Sequence, residues 1–507
     1  RLRCDWSSDV CSSDLKIYRH VSFAFALLFA AQLTTATEPL TLGEHGTQRE
    51  LFVDGHLIAT MTGGAKQFLH KPEPREVVFI TDAPWEGNTS AYYTIFRDGD
   101  LFRMYYRASH WDTAAKKETH REVTCYAESR DGIHWVKPKL GLFEFNGSRE
   151  NNIVVDGLGT HCFVAFKDGN PACPPESRYK GISRGRPVGK TGLYIFESPD
   201  GIRWKLTRDE PVITEGAFDS QNLAFWDAHT LQYREYHRTF VNGVRAIMTG
   251  TASDFINWTK PVLLKYQGGI PAQHLYTNAV QPYGRAPHLL IGFPTRYLPE
   301  EGQRVEPTLM TSRDGLHFHR WLDPVVPESA PKDRGGNRSN YMAWGLVEIP
   351  GRPNHLSVYA TEAYYTGPDS RVRRFEYRKD GFVSIRAGAE AGELITKPIT
   401  LGRLADRLTL NYRTNQGGQV RVGLYQPNGT AIPGHSLSEC QPLTGDQINQ
   451  TVMWKSVNGN IVGKTNADIS HLRQYHPAVQ LRFELKNADL FRSEERRVGK
   501  ECRSRWS

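Results

Sequence analysis

Three acidic residues stand where acid–base chemistry on a sugar could be done. Glu86 opens Glu86-Gly87-Asn88-Thr89-Ser90, Asp219 opens Asp219-Ser220-Gln221-Asn222, and Glu362 lies in Thr361-Glu362-Ala363-Tyr364-Tyr365. Each adjoins a strand-like apolar run. Cleaving a glycosidic bond takes one carboxylic acid to protonate the leaving oxygen and one carboxylate as base or nucleophile. Arg107, His161, Asn222, His237, Arg238, Asn278, Arg296 and Asn340 lie at comparable strand ends and supply hydrogen bonds, while Trp85 and Tyr276 offer flat rings for sugar faces. Each of these residues has a competing structural role, because a charged side chain at a strand end also ties one sheet to the next. Asp54 reads as a ring-closure residue. No CxxC pair, phosphate loop or nucleophilic serine elbow is present, so neither a metal nor a cofactor is expected.

The elements that would position these groups show in a repeat. Ser129-Arg130-Asp131-Gly132-Ile133-His134-Trp135 recurs as Ser198-Pro199-Asp200-Gly201-Ile202-Arg203-Trp204. A shorter form is Ser253-Asp254-Phe255-Ile256-Asn257-Trp258, and a fourth copy is Ser312-Arg313-Asp314-Gly315-Leu316-His317-Phe318. In every copy an aromatic follows the aspartate by four residues, and the aspartates are 69, 54 and 60 residues apart, a spacing near enough to even to mark one structural unit. Asp-Gly supplies the positive φ of a tight hairpin turn, and Ser and Asp side chains bond nearby amides. A unit of this size built from strands alone is a propeller blade. Polar strand starts precede Ala91, Cys162, Leu223, Ala279 and Tyr341, which predicts five inner strands and five blades. The expected fold is all-β: a five-bladed β-propeller over residues 50–386, with Leu51-Phe52-Val53-Asp54 completing the last blade. After the small-residue linker Ala387-Gly388-Ala389-Glu390-Ala391-Gly392, alternating strands predict a C-terminal β-sandwich over 393–491. Asp131, Asp200, Asp254 and Asp314 are assigned to turns.

The ends of the chain read differently. Residues 1–15 and 492–507 look like translated sequencing adapter and lack apolar periodicity. Residues 16–36 read as a signal peptide, with Lys16, Arg19 and His20 ahead of an apolar run from Val21 to Ala31 that is too short to span a membrane. Leaving out both tails and the signal segment lowers the formal charge from +8 to +4 with no dense basic block, so nucleic acid is not an expected partner. The mature protein is expected to be secreted or periplasmic, without a membrane span. In an oxidising compartment Cys162 and Cys173 are close enough in sequence to staple one loop, while Cys125 and Cys440 are expected as buried free thiols.

Pro84-Trp85-Glu86-Gly87-Asn88, Tyr126-Ala127-Glu128-Ser129-Arg130-Asp131-Gly132, Phe218-Asp219-Ser220-Gln221-Asn222, His274-Leu275-Tyr276-Thr277-Asn278-Ala279 and Gly335-Gly336-Asn337-Arg338-Ser339-Asn340-Tyr341 resemble exported bacterial propeller proteins similar to glycoside hydrolase family 32, within the family 32 and 43 superfamily. The resemblance runs over nearly the whole mature chain, including Glu393-Leu394-Ile395-Thr396-Lys397-Pro398. It implies a five-bladed propeller, a carbohydrate ligand, and one acidic residue on each of the first three inner strands. Here the first offers Glu86 and the third Asp219, while the second offers His161 and no carboxylate. An Asp-Pro-Asn-Gly-like opening and an Arg-Asp-Pro triplet are missing as well, so fructan hydrolysis does not transfer residue by residue.

Three function classes follow: an exported glycoside hydrolase acting on a polysaccharide or oligosaccharide, a non-catalytic glycan-binding propeller, and a structural protein of the cell envelope. Mass spectrometry of exported protein should find an N-terminus near Thr37. A soluble cytoplasmic form retaining residues 16–36 would contradict the signal-peptide reading.

Overall fold

The Asp-Gly turn closes on itself before it touches anything else. In the first copy the Asp131 carboxylate accepts the amides of Ile133 and His134 at 2.9 and 2.8 Å, and Ser129 Oγ accepts that of Gly132 at 2.9 Å. Gly132 takes a φ of 74°, a left-handed value that glycine adopts without strain. Asp200 and Asp314 repeat the pattern, each accepting the amides two and three residues on at 2.8 Å. Asp254 makes the same bonds, but Phe255 stands in the glycine position with a φ of 65°.

Each turn is then clasped by the sheet before it. Tyr359 donates its hydroxyl to the Gly132 carbonyl at 2.8 Å, Tyr105 to Gly201 at 2.7 Å, and Tyr236 to Gly315 at 2.9 Å. The aromatic of each motif packs edge-on against the same tyrosine: Trp135 on Tyr359, Trp204 on Tyr105, Phe318 on Tyr236. At the third turn, Phe255 packs on Phe166 of the second sheet instead, with ring centroids 5.6 Å apart. A further Asp-Gly turn, Asp380-Gly381, is gripped through its carboxylate by the Tyr283 hydroxyl and by Arg285 Nε at 2.8 Å. This fifth copy lacks both the serine and the trailing aromatic.

The computed structural model describes residues 39–41, 49–187, 189–326, 340–402, 405–455 and 465–496. Residues 1–15, the signal segment 16–36, residues 497–507 and Gly335 to Ser339 lie outside the described residues. Among those described, five sheets follow one another, antiparallel throughout except for one parallel edge pairing in the fourth. The first holds Ala91–Asp98, Leu101–Ala108, Val123–Ser129 and Trp135–Val136, with Ile153–Asp156 alongside. The second holds Val164–Lys167, Tyr179–Gly185, Gly192–Ser198 and Lys205–Leu206. The third holds Leu223–Asp227, Gln232–Val241, Val244–Ala252 and Val262–Leu263. The fourth holds Gln281–Pro282, Leu290–Gly292, Met310–Ser312 and His317–Arg320, edged by Lys265–Tyr266. The fifth holds His355–Glu362, Arg371–Arg378 and Glu73–Ile80, with Met342 and Val347 bridging to Ala360 and Ser357.

Inner segments of different sheets meet. Ile95 and Trp344 bond across the first and fifth sheets at 2.7 Å, Gln221 Nε2 reaches the Tyr93 carbonyl at 3.0 Å, and Trp344 Nε1 reaches the Val280 carbonyl at 2.8 Å. The approach is so close that a Cβ on Gly345 would lie 2.1 Å from the Ile95 carbonyl oxygen, so only glycine fits. The fold is all-β and propeller-like.

Closure differs from the sequence expectation. The strand that completes the fifth sheet is Glu73–Ile80, paired with Arg371–Arg378. Leu51-Phe52-Val53-Asp54 instead lies between the fourth sheet and the C-terminal one. The Val53 carbonyl accepts from Trp321 Nε1 at 3.2 Å, Asp54 binds Arg313 at 2.9 Å, and Leu51 pairs with Arg492. Arg49–Leu51, Ile58–Gly63 and Lys66–Leu69 join Val383–Ala387, Gly392–Thr396, Arg407–Tyr425, Asp446–Thr451 and Gln480–Arg496 in one eight-stranded sheet. Phe52 and Leu57 sit in its core with Trp454 and Phe483. The last strand runs past Phe491 to Arg496, and Arg492 is buried against Asp380 at 3.2 Å.

The expected disulfide is not formed. Cys125, Cys162, Cys173 and Cys440 are all free. Cys162 is buried among Ala91 and Tyr92, whereas Cys173 lies beside Ser177 and Lys180, so nearness in sequence does not bring the two sulfurs together.

Replacing Tyr105 by Phe keeps the ring but strands the Gly201 carbonyl, which should cost about 1–3 kcal/mol. Tyr475→Phe, at a ring 68% exposed, should cost nothing measurable. Equal denaturation midpoints for Tyr105→Phe and the unsubstituted chain would show that the turn clasp contributes no stability.

Candidate functional site

Antiparallel strands alternate direction, so one face of such a sheet collects first-strand starts, second-strand ends and third-strand starts. On that face the structure gathers residues from every sheet. First-strand starts bring Tyr92, His161 and Asp219, and the corresponding segments bring Tyr276 and Tyr341. Second-strand ends bring Arg107, Arg184 and Arg238, and third-strand starts bring Glu122 and Arg245. Tyr364 and Tyr365 follow His355–Glu362.

His161 is the hub. It lies in the short 3-10 turn Thr160–Cys162, with Nε2 2.7 Å from Asp219 Oδ1 and Nδ1 2.9 Å from Glu122 Oε2. Burial opposes a charge on the ring, but Cys162, Asp219 and Glu122 outweigh it and push the pKa up to about 11. His161 is therefore an imidazolium at neutral pH, donating from both nitrogens. The hydrogen bond from His161 is the largest influence on Asp219 and, with Arg184 and Arg238, holds its carboxyl well below the usual range against partial burial. Burial would raise Glu122, but His161, Arg107 and Arg184 hold it low. Asp219 remains 47% exposed at its side chain, while Glu122 is 18% exposed.

Arginines and tyrosines surround this hub. Arg184 lies 3.3 Å and Arg238 3.9 Å from the Asp219 carboxylate. Arg107 donates to the Thr89 carbonyl at 2.7 Å and the Tyr364 hydroxyl at 2.8 Å, with its guanidinium over the Tyr92 ring. Arg238 and Arg245 both lie 5.0 Å from the Tyr276 ring centre. The rings form a chain: Tyr276 meets Tyr341, which meets Tyr92 and Tyr364, and Tyr364 meets the half-exposed Tyr365. Tyr92 and Tyr365 hold φ values of 60° and 58°, and Tyr92 sits at a break in strand register. Such backbone costs on the order of 1–3 kcal/mol per residue and gathers at functional sites.

The other expected site residues are placed as follows. Glu86 is buried, taking the Lys137 ammonium at 2.6 Å, the Ala83 amide at 3.0 Å and the Tyr106 hydroxyl. Glu362 is buried between Arg371 at 3.0 Å and Arg373 at 2.5 Å. The partners of Glu86, Asp219 and Glu362 are different residues, and the structure brings Asp219 together with Glu122 instead. Trp85 bonds Asn152 at 2.8 Å. Asn222 donates to the Phe218 and Ser220 carbonyls and shapes the loop that carries Asp219. His237 is buried between the Glu235 carboxylate and the Glu215 carbonyl, Asn278 reaches the Tyr236 carbonyl, and Arg296 pairs with Glu306. Asn340 is buried just ahead of Tyr341.

Glu122, Arg184, Arg245, Tyr92, Tyr341, Tyr364 and Tyr365 were not among the expected residues. Strand alternation was the signal that could have found them. A separate cavity of about 270 Å³ lies between the second and third sheets, lined by Cys173, Lys180, Tyr233 and Phe255, and shares no residue with the His161 cluster. Among the described residues, no group of three or more His, Cys, Asp or Glu side chains is placed to hold a metal ion, and no helix is long and apolar enough to cross a membrane.

No protein-family model matches the sequence. Two uncharacterised proteins of Mycobacterium tuberculosis, strains CDC 1551 and H37Rv, are 27% identical over 145 residues, which is 27% of this chain. The chain spans 40% of the length of these relatives. Among solved structures, a glycoside hydrolase is 12% identical with a TM-score of 0.41, covering 62% of this chain and 93% of its own. An N-acetylgalactosamine deacetylase from F. plautii, in complex with blood group B trisaccharide, is 11% identical with a TM-score of 0.41, covering 62% and 96%. A beta-1,2-mannobiose phosphorylase from Listeria innocua is 10% identical with a TM-score of 0.38, covering 66% and 96%.

An unfolded histidine titrates near 6.5. Because the folded pKa of His161 is raised, its charge stabilises the fold fully below about pH 6.5, and that contribution is lost as pH rises toward about 11. Glu122 and Asp219 work in the opposite sense, their contribution fading as pH falls below the ordinary carboxylate range. Ring nitrogen shifts at pH 9 should show His161 doubly protonated. A titration midpoint close to 6.5 would contradict the bracketed geometry.

Proposed function

We propose that this chain is an exported, five-bladed propeller protein of glycoside-hydrolase-like architecture that binds a polysaccharide or oligosaccharide on the face around His161 and Asp219. The observation that carries this reading is a chain of tyrosine rings that is buried at Tyr92 and Tyr341 and reaches solvent at Tyr276, Tyr364 and Tyr365, beside charged donors and the half-exposed Asp219. Sugars are gripped by such a combination: ring faces cover the apolar C–H side, and charged groups take hydroxyls through hydrogen bonds stronger than neutral ones. Recognition is favoured over two-carboxylate hydrolysis because Glu86 and Glu362 are spent on Lys137, Arg371 and Arg373.

One observation favours a second reading. Glu122 and Asp219 bracket the same imidazole, so displacement of the His161 ring by a substrate would leave two carboxylates facing one bond. Both are held ionised, however, and hydrolysis needs one of them protonated.

A glycan panel scored for binding and for reducing-end release separates the two. Binding without release is expected, weakened tenfold or more by Asp219→Asn and by Tyr276→Ala in folded protein. Release that Asp219→Asn and Glu122→Gln both abolish would replace recognition with hydrolysis.

A further inference from the structure

The His161 face holds more positive than negative charge. Arg107, Arg184, Arg238, Arg245 and the His161 imidazolium are set against two carboxylates, Glu122 and Asp219, which are already shared with His161. Among the described residues Arg245 has no carboxylate partner: its guanidinium lies over the rings of Tyr297, Tyr276 and Phe240, with Nη1 3.4 Å from His274 Nδ1. The carboxylate nearest Arg238 is Asp219, at 3.9 Å. Arg107 Nε, Arg238 Nη1 and Arg245 Nε are buried without a hydrogen-bond partner. Leaving a charged donor unpaired in a low-dielectric setting is costly, and proteins avoid it unless another group completes the site. Elsewhere many arginines are met by carboxylates at short range, such as Arg371 and Arg373 by Glu362, Arg285 by Asp380 and Arg296 by Glu306, whereas Arg320 bonds Gln273 and the Pro271 carbonyl. On this face several such guanidiniums converge around two shared carboxylates.

We infer that the ligand is an anionic glycan, whose charged substituent lies against Arg238 and Arg245 while its rings rest on Tyr276 and Tyr365. This inference rests on the glycan-binding reading of the same face. A uronic-acid carboxylate and a sulfate ester share the required chemistry, since a planar guanidinium fork pairs with either. Asp219, neutralised by His161 and Arg184, is left to accept from a sugar hydroxyl.

The test is calorimetric titration of the full mature chain with four probes: an oligogalacturonide, its methyl-esterified form, a sulfated galactan oligosaccharide and its desulfated form. At least tenfold tighter binding of one charged probe than of its neutral counterpart is expected, with affinity falling as salt rises. The pair that shows the difference identifies carboxylate or sulfate as the source. Arg245→Gln should remove the preference for charge, and Arg245→Lys should keep part of it. Unchanged near-ultraviolet circular dichroism verifies that each variant is folded. Neutral probes binding as tightly as charged ones, with Tyr276→Ala still weakening binding tenfold or more, would overturn the anionic ligand and leave the glycan-binding reading standing. If no probe binds, both fall.

Discussion

The hydrogen bond from a tyrosine hydroxyl to the glycine carbonyl of the next sheet's turn is the interaction from which the architecture follows. Tyr359, Tyr105 and Tyr236 make it directly. Phe166 against Phe255 and Tyr283 against Asp380 stand in at the two remaining junctions. The geometry works because Asp and Ser side chains satisfy the turn's own amides, leaving one carbonyl turned outward for a neighbour. Five such junctions fix the order of the sheets, and that order sets strand ends from distant stretches of chain onto one face.

The charges of that face constrain one another. A histidine held between two carboxylates stays protonated, and its charge keeps both carboxylates ionised in turn. The result is an imidazolium paired at both ring nitrogens. Around it lie arginines laid over tyrosine rings, an arrangement suited to gripping polar rings and poorly suited to giving up protons. Left-handed backbone at Tyr92 and Tyr365 is the local strain that this surface carries.

Much of the fold was legible because its signals are local. Asp-Gly turns with an aromatic four residues on, and polar strand starts before apolar runs, marked the strand-built units of an all-β, propeller-like fold. The fifth turn escaped because Asp380-Gly381 has neither Ser before it nor an aromatic at residue 384. Closure was misplaced because Glu73–Ile80 and Leu51–Asp54 are equally strand-like in sequence, and only pairing with Arg371–Arg378 distinguishes them. The site was half legible. Asp219, His161, Arg107, Arg238 and Tyr276 were named from strand ends. Glu122 and Arg245 were not, since their place depends on third-strand direction. Glu86 and Glu362 stood out for their charge, but the cations that occupy them, Lys137, Arg371 and Arg373, come from other strands and loops.

A crystal structure of the mature chain with a bound acidic oligosaccharide addresses the central claim most directly. The account predicts a sugar ring on Tyr276 or Tyr365, a hydroxyl at Asp219, and the anionic group within hydrogen-bonding distance of Arg238 or Arg245. A ligand seated instead in the cavity beside Cys173 and Phe255, or on the C-terminal sheet, would contradict it.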